Sequence, residues 1–557
     1  MQFQEEKQSR KVDTLRHKEE EESIQLLSQT YKIPYLNLTL FPIEIDALKI
    51  IPEADARRAL LVVFQEAGKH LKVAMRNPEK EETKALLTQL AAAHYTYDLF
   101  IISGSSLNHA LGYYKKVPRE QSTSIGSIQI AKDTFEKSKK ELTSLAEIKA
   151  RIEKTFFAKT TEALEIILAG AIAIDACDIH IEPQKGRVRL RFRLDGVLHD
   201  IVFIDPHLYG FLLSRLKLIS ELKLNIHDKA QDGRFEIETG GAAVEVRTSI
   251  LPGPDGENTV LRILNPKAIS VTFEGLGMQP WVSALVDDEL KKPNGMILTT
   301  GPTGSGKTTS LYAFLKKIHT PEIKIITIED PIEYHLEGIE QTQVDPEKGY
   351  DFASGLRSIV RQDPDVILVG EIRDLETAET AMHASLTGHL VFSTLHTNSA
   401  AGTIPRLLDI GVKPSIIAPA INVSMAQRLV RKLCKTCRTK AILSVKEKEL
   451  LLKELEAFPR SVLIPDQKQM TIYKAAARNN TCADCSGIGY KGRIGVYEII
   501  LIDDEVERLI SKDLTEFEIK KQAIRQGQIT MRQDGILKIV TGITDFAELD
   551  RIVGTRS

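Results

Sequence analysis

The sequence predicts a mixed α/β chain of several domains, the largest of them built on a mostly parallel sheet with helices on both faces. A chain of 557 residues is too long for a single hydrophobic core. In its C-terminal half, short apolar runs such as "KIITIED", "VILVGEI" and "HLVFSTLH" alternate with helix-length segments, as buried parallel strands do. Apolar residues make up 42% and charged residues 27% of the chain, which is ordinary for a globular protein and excludes a disordered one.

Composition divides the chain into four parts. Residues 1–117 predict an N-terminal α/β domain after a charged lead-in, because apolar runs such as "ALLVVF" alternate with helical stretches. Residues 118–158 are polar and rich in Lys and Glu, which is typical of a linker that turns into a helix. Residues 159–285 predict a smaller α/β domain, and residues 286–557 contain the strands of the parallel sheet.

Charge and hydropathy limit the location of the chain and its partners. The formal net charge of -2 gives no overall attraction to nucleic acid or to an anionic membrane. The longest apolar stretch, "IILAGAIAI", is far shorter than the roughly 20 residues that span a bilayer. The charged N-terminus has no secretory signal, and five cysteines argue against a disulfide framework. We therefore expect a soluble chain in the compartment that holds ATP.

A glycine-rich loop carries the strongest chemical signal. Residues 301–308, "GPTGSGKT", match the pattern G-x-x-x-x-G-K-[ST] between an apolar strand and a predicted helix, a context that favours a nucleotide site over an ordinary turn. The glycines let backbone N–H groups turn inward around an anion, and the helix adds its N-terminal dipole. Lys307 supplies charge for the β- and γ-phosphates, and the Thr308 hydroxyl is placed to ligate Mg²⁺. The predicted nucleotide-binding residues are Gly301, Thr303, Gly304, Ser305, Gly306, Lys307, Thr308 and Thr309.

Acidic residues and histidines follow or flank the other predicted strands. Glu371 ends the apolar strand of "DVILVGEIRD", where such folds hold Mg²⁺ through water. Another strand leads into three carboxylates, any one of which is a candidate to polarise the attacking water: Glu329, Asp330 and Glu333. His389 and His396 lie at the two ends of one strand, and their odd separation points them to opposite faces. Each histidine has the alternative of being an ordinary core or surface residue.

Four of the five cysteines form two C-x₂-C pairs with 44 residues between them. Each pair can place two thiolates on one tetrahedral ion. The gap exceeds the usual zinc-ribbon spacing, so spacing alone leaves four reduced, buried thiols as the alternative. Six Lys and Arg residues between 428 and 440 favour the metal, and they lack the interleaved aromatics that would indicate nucleic-acid binding. The sequence therefore predicts one structural zinc ion bound by Cys434, Cys437, Cys482 and Cys485.

Taken together, the motifs resemble the secretion ATPases that drive type IV pilus assembly and type II secretion. The segments "GPTGSGKTTS", "TIEDPIEY", "LRSIVRQDPDVILVGEIRD" and "TGHLVFSTLHTN" have the order of that family, as do "CDIHIEP", "RLRFRLDG" and "QDGR" upstream. The resemblance implies a RecA-like P-loop ATPase domain at 286–557, with a zinc-binding tetracysteine subdomain inserted at about 430–497. It also implies a PAS-like fold for the smaller domain and a secretion-ATPase type of N-terminal domain.

The resemblance also assigns roles to single residues. It implies that Glu333 is the general base for water and that Glu371 is the Mg²⁺-associated carboxylate. It implies that His396 reports on the γ-phosphate and that His389 supports the same motif. Cys177 departs from the family, which usually has serine before "DIHIEP", and we expect it to be a small buried side chain without redox function.

Arginines of the smaller domain form the last group of candidates. The alternation in "RVRLRFRLDG" predicts a half-buried strand with Arg189, Arg191 and Arg193 on one face. The resemblance implies that arginines of this domain reach the nucleotide of a neighbouring site in a hexameric ring, and the matching positions are Arg191, Arg234, Arg247 and Arg262. An arginine delivered in this way accelerates phosphoryl transfer by several orders of magnitude. The alternative for each is a solvated sheet face or a structural ion pair.

The implied function is a homohexameric motor that uses ATP and Mg²⁺ at the cytoplasmic side of the inner membrane. It would act on a polytopic platform protein, with indirect membrane association and no direct contact with nucleic acid. The N-terminal domain and the four cysteines favour an assembly motor over a retraction motor, and a type II secretion motor is the alternative. A small-molecule kinase and a non-hydrolysing nucleotide-responsive scaffold are the alternatives from other classes. The N-terminal segment lacks the "RLG"-type start of relatives that bind cyclic di-GMP.

Overall fold

The structure is a computed structural model. It describes residues 20–21, 23–41, 43–48, 50–67, 69–92, 95–115, 127–129, 141–142, 144–155, 160–238, 243–264, 271–459, 462, 464, 470–477, 482–512 and 515–554. The predicted lead-in up to residue 19 and much of the predicted linker lie outside the described residues. The chain divides into two compact units, Met1–Ser122 and Thr123–Ser557. Within the described ranges, no helix is both long enough and apolar enough to cross a bilayer.

The first unit is a small α/β domain, as predicted. Its sheet has the order β1-β2-β3, with β1 and β2 antiparallel and β3 parallel to β2. The apolar run of β1 and the side chains of α4 share one core, in which Val62, Val73 and Leu107 are buried. The elements are β1 Leu61–Ala67, β2 His70–Met75, β3 Thr96–Ile101, α1 Ile45–Leu48, α2 Glu53–Ala59, α3 Glu81–Ala92 and α4 Gly104–Gly112.

The second unit begins with a seven-stranded sheet of order β4-β8-β9-β10-β5-β6-β7, antiparallel except for β4 and β8. Alternate residues of β6 are buried against helices, so its arginines share the opposite face, as predicted. Ile148 and Ile152 of α5 lie in the same core. The elements are β4 Ser127–Gln129, α5 Leu145–Thr155, α6 Thr160–Ala173, β5 Asp178–Gln184, β6 Arg187–Leu194, β7 Val197–Ile204, α7 Pro206–Ile219, β8 Gln231–Glu238, β9 Ala243–Gly253 and β10 Gly256–Leu264.

The second seven-stranded sheet has the order β13-β12-β14-β15-β11-β16-β19, and every pair is parallel except β16 with β19. Met296 and Leu298 pack into one core and Ile297 into another, which confirms helices on both faces. The strands are β11 Gly295–Thr300, β12 Ile325–Glu329, β13 Glu340–Gln343, β14 Val366–Val369, β15 Leu390–Leu395, β16 Ile421–Leu433 and β19 Tyr490–Leu501. The helices up to β16 are α8 Pro280–Leu290, α9 Lys307–Ile318, α10 Phe352–Val360, α11 Leu375–Leu386, α12 Thr403–Ile410 and α13 Pro414–Ala420.

A smaller excursion lies between β16 and β19, and four helices complete the chain. The excursion contains β17 Thr439–Lys440, α14 Val445–Glu456 and β18 Tyr473–Lys474. The helices that follow β19 are α15 Asp504–Ile510, α16 Glu516–Arg525, α17 Met531–Val540 and α18 Phe546–Val553. Because β11, β12, β14 and β15 are parallel, their carboxyl ends meet at one edge of the sheet, where α/β folds place their ligands.

Candidate functional site

The phosphate loop connects β11 to α9, and its backbone has the conformation that an anion cradle needs. Gly301, Gly304 and Gly306 have φ values of 151°, 77° and 91°, which favour glycine. A Cβ on Gly301 would lie 2.6 Å from Ser305 Oγ and 2.7 Å from the Gln427 carbonyl oxygen. A Cβ on Gly306 would lie 2.8 Å from Gln427 Nε2. The loop is therefore closed against β16 on one side, and only glycine fits there.

Polar groups of the loop fit a polyphosphate. Lys307 begins α9, and its ammonium donates to the Gly301 carbonyl at 2.7 Å. Burial lowers the pKa of Lys307, an effect that Arg428 adds to and the nearby Glu371 carboxylate opposes. Ser305 Oγ is buried and has no hydrogen-bond partner within the described part of the chain. A partly buried ammonium and an unpartnered buried hydroxyl both gain from an oxyanion.

A cavity of about 720 Å³ extends from this loop. Thr303, Thr308 and Thr309 line it together with the rest of the loop, from Pro302 onwards. It is also lined by part of the segment that begins at Glu329, the last residue of β12, and runs to Glu337, here called the acidic segment. The sheet of the smaller domain lines it too, so both sheets contribute to one site. Its volume is within the range of nucleotide-sized pockets.

Glu371 follows β14 and lines the cavity. Its carboxylate is 15% exposed and forms an ion pair with Arg373, and His396 Nε2 lies 3.2 Å from Glu371 Oε2. His396 follows β15 on the neighbouring strand, and both side chains line the cavity. The parallel register of β14 and β15 thus brings together two residues that are 25 positions apart.

The three carboxylates of the acidic segment have different surroundings. Glu329 is buried, and its oxygens accept hydrogen bonds from Thr327 at 2.6 Å, from Gln341 at 3.1 Å and from the Tyr312 hydroxyl. These bonds engage both oxygens and hold the buried carboxylate in place at the cavity wall. Asp330 is 3.9 Å from Arg373, at the cavity wall. Glu333 also lines the cavity, at 34% exposure.

Arg247 of the smaller domain contacts the candidate base directly. Its Nη1 is 3.3 Å from Glu333 Oε2, and its Nη2 donates to the Ile332 carbonyl at 2.6 Å. Arg247 and Glu333 thus form an ion pair between the smaller domain and the segment that follows β12. The contact links the chemistry of the acidic segment to the position of the smaller domain.

The structure does not bring His389 to the site. It precedes β15, and its Nδ1 is 2.9 Å from the Ala384 carbonyl oxygen at the end of α11. Six strand residues separate His389 from His396, which is about 20 Å along a strand. His389 therefore lies at the opposite edge of the sheet, away from the phosphate loop.

The candidate arginines occupy different places. Register aligns one cross-strand row on β8, β9, β10, β5 and β6, here called the arginine row: Arg234, Arg247, Arg262, Asp178 and Arg193. Of these, Arg262, Asp178 and Arg193 line the cavity, whereas Arg234 is exposed. Arg191 lies outside the row, and its guanidinium is ion-paired with Glu182.

Sequence reasoning missed Arg193, Asp178 and Arg373 as site residues. Arg193 was visible on the correct face of β6, but only the pairing of β6 with β5 distinguishes it from Arg191. Cys177, expected to be buried, is half-buried and lines the cavity. Burial raises the pKa of its thiol to about 11, with Asp178 adding to the effect, so the thiol is protonated at neutral pH.

Replacement of a loop glycine gives a direct test of the cradle. We expect Gly306→Ala to weaken ATP binding at least about tenfold, because alanine is strained at this φ and its Cβ would press on Gln427. Titration with a fluorescent ATP analogue measures the affinity. Gly388→Ala is the matched control, since Gly388 also has a positive φ, of 110°, but faces open space at the other end of the sheet. Unchanged affinity in Gly306→Ala would contradict the cradle.

The four paired cysteines form a single cluster. Cys434 and Cys437 follow β16, Cys482 and Cys485 precede β19, and the antiparallel pairing of these two strands brings both turns together. The Sγ distances are 3.8 Å for Cys434 to Cys482 and 3.6 Å for Cys437 to Cys485. Sulfurs bound to a tetrahedral zinc at about 2.3 Å would be about 3.8 Å apart.

All four ligand atoms of the cluster lie within 4.8 Å of one another. The donor set therefore fits zinc. Of the basic residues between 428 and 440, Arg431 donates to Glu548 and Arg438 donates to the Gly542 carbonyl, so these two do not offset the charge of the thiolates directly. The long gap between the two pairs forms the excursion and does not separate the cysteines in space.

At one edge of a parallel sheet, the site combines a phosphate loop after β11, the Glu371 carboxylate after β14 and His396 after β15. This combination defines a P-loop ATPase with a RecA-like fold. The family model described as "Type II/IV secretion system protein" matches residues 154–551, and the MshEN domain model matches residues 31–121. The chain belongs to the type II/IV secretion system protein family, and it is an ATPase of that family.

Relatives with curated names span nearly the whole chain. The type IV pilus assembly ATPase PilB of Myxococcus xanthus is 35% identical over 95% of this chain and 91% of its own length. The type II secretion system ATPase E of Vibrio cholerae is 36% identical over 92% of this chain and 99% of its own length. The structure of the ATPase DotB from Yersinia pseudotuberculosis has a TM-score of 0.50 at 19% identity, over 71% of this chain and 93% of that chain, and shows a shared fold.

Proposed function

We propose that this chain is the ATP-hydrolysing motor of type IV pilus assembly, working as a homohexamer on the cytoplasmic face of the inner membrane. The observation that carries the proposal is the likeness to a pilus assembly ATPase over 95% of the chain, so that it includes the N-terminal domain as well as the site. The product of the motor would be a filament built through a polytopic platform protein. Membrane association would be indirect, and no nucleic acid would be bound directly.

In this proposal, the loop binds the triphosphate of ATP through its backbone N–H groups and the N-terminus of α9. Lys307, now bonded to a loop carbonyl, turns to the phosphates. Thr308 and Glu371 would hold Mg²⁺, which neutralises charge on the transferring phosphoryl group. His396, in contact with Glu371, orients that carboxylate and is close enough to the cavity to sense the phosphate.

Glu333 accepts the proton of the attacking water. Its release from Arg247 requires the smaller domain, residues 159–285, to shift against the ATPase domain, residues 286–557. Nucleotide can drive such a movement only if its contacts differ between the two arrangements. Arg247 and Arg262 supply those contacts, because both belong to one domain and face the site of the other. The same movement transmits work to the platform protein.

Type II secretion is the second candidate, with identical chemistry and a pseudopilus as product. The observation in its favour is the type II secretion ATPase that matches this chain over 99% of its own length. Type II secretion proteins from other species are also more identical over a shorter region, for example 44% over 70% of this chain for that of Pectobacterium carotovorum.

Two experiments test the proposal at different levels. Purified protein should release phosphate from ATP with no acceptor present, which a kinase or a non-hydrolysing scaffold would not do. Deleting the gene should remove surface filaments and leave protein secretion intact. Loss of secretion with intact filaments would replace pilus assembly by type II secretion, and intact filaments and secretion would contradict both.

A further inference from the structure

Asp178 stands between two arginines of the arginine row. Its Oδ1 accepts a hydrogen bond from Arg262 Nε at 3.1 Å, and its Oδ2 accepts one from Arg193 Nε at 2.8 Å. The Asp178 side chain is 9% exposed, so these bonds form largely out of water. One carboxylate balances only one of the two guanidinium charges. Within this trio one positive charge is left unbalanced at a cavity wall that also carries the Asp195 carboxylate, and an unbalanced guanidinium suits a polyanion.

Arg193 is held by a second partner as well. Its Nη2 is 3.2 Å from His180 Nε2, and a guanidinium can only donate, so the histidine ring must be neutral with Nε2 as the acceptor. Burial lowers the pKa of His180, to which Arg193 contributes, while Asp178 and Glu182 oppose the shift. Arg193 Nη1 makes a long contact of 3.5 Å with the Gly196 carbonyl. All three guanidinium nitrogens thus have a protein partner, and the contacts of Nε and Nη2, at 2.8 Å and 3.2 Å, are the shorter ones.

We propose that Arg193 is a phosphate-binding residue of the cavity and that Asp178 and His180 are its positioning residues. The inference rests on the proposed function, since the ligand is the triphosphate of ATP. Arg193 is 31% exposed, lines the cavity and shares it with the phosphate loop. A planar guanidinium whose Nε and Nη2 are already bonded loses little conformational freedom when it binds an oxyanion. The Arg193 guanidinium is therefore preorganised to bind a phosphate.

The alternative is a structural ion pair between Arg193 and Asp178, and binding measurements separate the two. We expect Arg193→Gln to weaken ATP binding about tenfold, the effect of losing one charged hydrogen bond. Arg193→Lys should recover part of the affinity because it keeps the charge. Arg189→Gln is the matched control, since Arg189 shares the strand and the face but is bound to Asp200 at 2.7 Å and lies outside the cavity lining.

ATP binding by the wild-type chain and by Arg193→Gln tests this assignment separately from the proposed function. A wild-type chain that binds and hydrolyses ATP, beside an Arg193→Gln variant of equal affinity, would overturn the assignment alone. A wild-type chain that binds no ATP would overturn both. Thermal unfolding of each variant is measured in parallel, and an Arg193→Gln effect on the unfolding midpoint without an effect on affinity would also support the structural ion pair and overturn the assignment.

A double-mutant cycle tests the positioning residues. His180→Phe removes the acceptor and should weaken ATP binding several-fold in the wild-type background, but not in the Arg193→Gln background, where nothing remains to be positioned. His180→Gln keeps an acceptor and should restore affinity. Asp178→Asn should retain a residual effect beside Arg193→Gln, because Asp178 also holds Arg262. Additive effects of His180→Phe and Arg193→Gln would overturn the positioning role of His180.

Discussion

Glu333→Gln is expected to lower the rate of ATP hydrolysis by about 10²- to 10⁴-fold, the usual contribution of a general base, while ATP still binds. Glutamine has the shape of glutamate and still accepts a hydrogen bond from Arg247, but it cannot take the proton of the attacking water. Of the three carboxylates in this segment, Glu329 is buried and accepts hydrogen bonds from Thr327, Tyr312 and Gln341, whereas Glu333 is 34% exposed. Phosphate release at saturating ATP, together with the affinity for an ATP analogue, measures the two effects separately.

Glu337→Gln is the matched control for this experiment. Glu337 is exposed, lies four residues further along the same segment and is absent from the cavity lining. Its replacement should leave both binding and turnover unchanged. Wild-type turnover in Glu333→Gln would remove Glu333 from its role, and Asp330, which lines the cavity near Arg373, would become the carboxylate to test with Asp330→Asn.

The ion pair between Arg247 and Glu333 joins the candidate base to the smaller domain. We propose that Glu333 acts as the base only after the smaller domain moves and Arg247 releases it, so that the position of this domain would control the timing of hydrolysis. Such control suits a motor, in which hydrolysis has to follow a mechanical step. A simple ATPase gains nothing from it.

The parts of the site that depend on local chain geometry could be predicted from the sequence. The phosphate loop is a strand, a turn and a helix in sequence, and its glycines are required by the backbone angles of the loop itself. Glu371 and His396 could be placed because each directly follows a strand whose apolar run was recognisable. The same argument could have excluded His389, because a residue before a parallel strand lies at the opposite edge of the sheet.

The arginines could not be ranked from the sequence. Alternation in β6 shows that Arg189, Arg191 and Arg193 share a face, but it does not show which of them is opposite Asp178. That depends on the register between β5 and β6, which is set by the packing of both strands on their helices. Arg193 reaches the cavity, and Arg191, two residues away, is ion-paired with Glu182.

The tetracysteine cluster also depends on strand pairing that the sequence does not show. Spacing along the chain alone left the choice between zinc and four buried thiols open, since 44 residues separate the pairs. The pairing of β16 with β19 makes this separation irrelevant, because the intervening residues leave and return at the same place. Long-range strand pairing, which spacing rules do not include, decides whether four thiols can share an ion.

Removal of zinc is the second experiment for which we expect a large effect. We propose that the four cysteines bind one structural zinc, so metal analysis should find about one ion per chain. Cys482→Ser should lose the ion and lower the midpoint of thermal unfolding. Zinc supplies about 10–16 kcal/mol of folding free energy in isolated finger peptides. Here the hydrogen bonds between β16 and β19 remain, so we expect local unfolding of the excursion and not of the ATPase core.

Cys177→Ser is the control, because Cys177 is the fifth cysteine and lies outside the cluster. It should keep the zinc, and a metal-free wild-type chain of undiminished stability would contradict the site.

Loss of zinc should also reduce ATP hydrolysis. Directly after the cysteines, the Gly492 N–H donates to Asp195 of the smaller domain at 2.7 Å, and Arg493 lines the cavity. A cluster that no longer holds this turn would therefore release a contact between the domains and one wall of the nucleotide site.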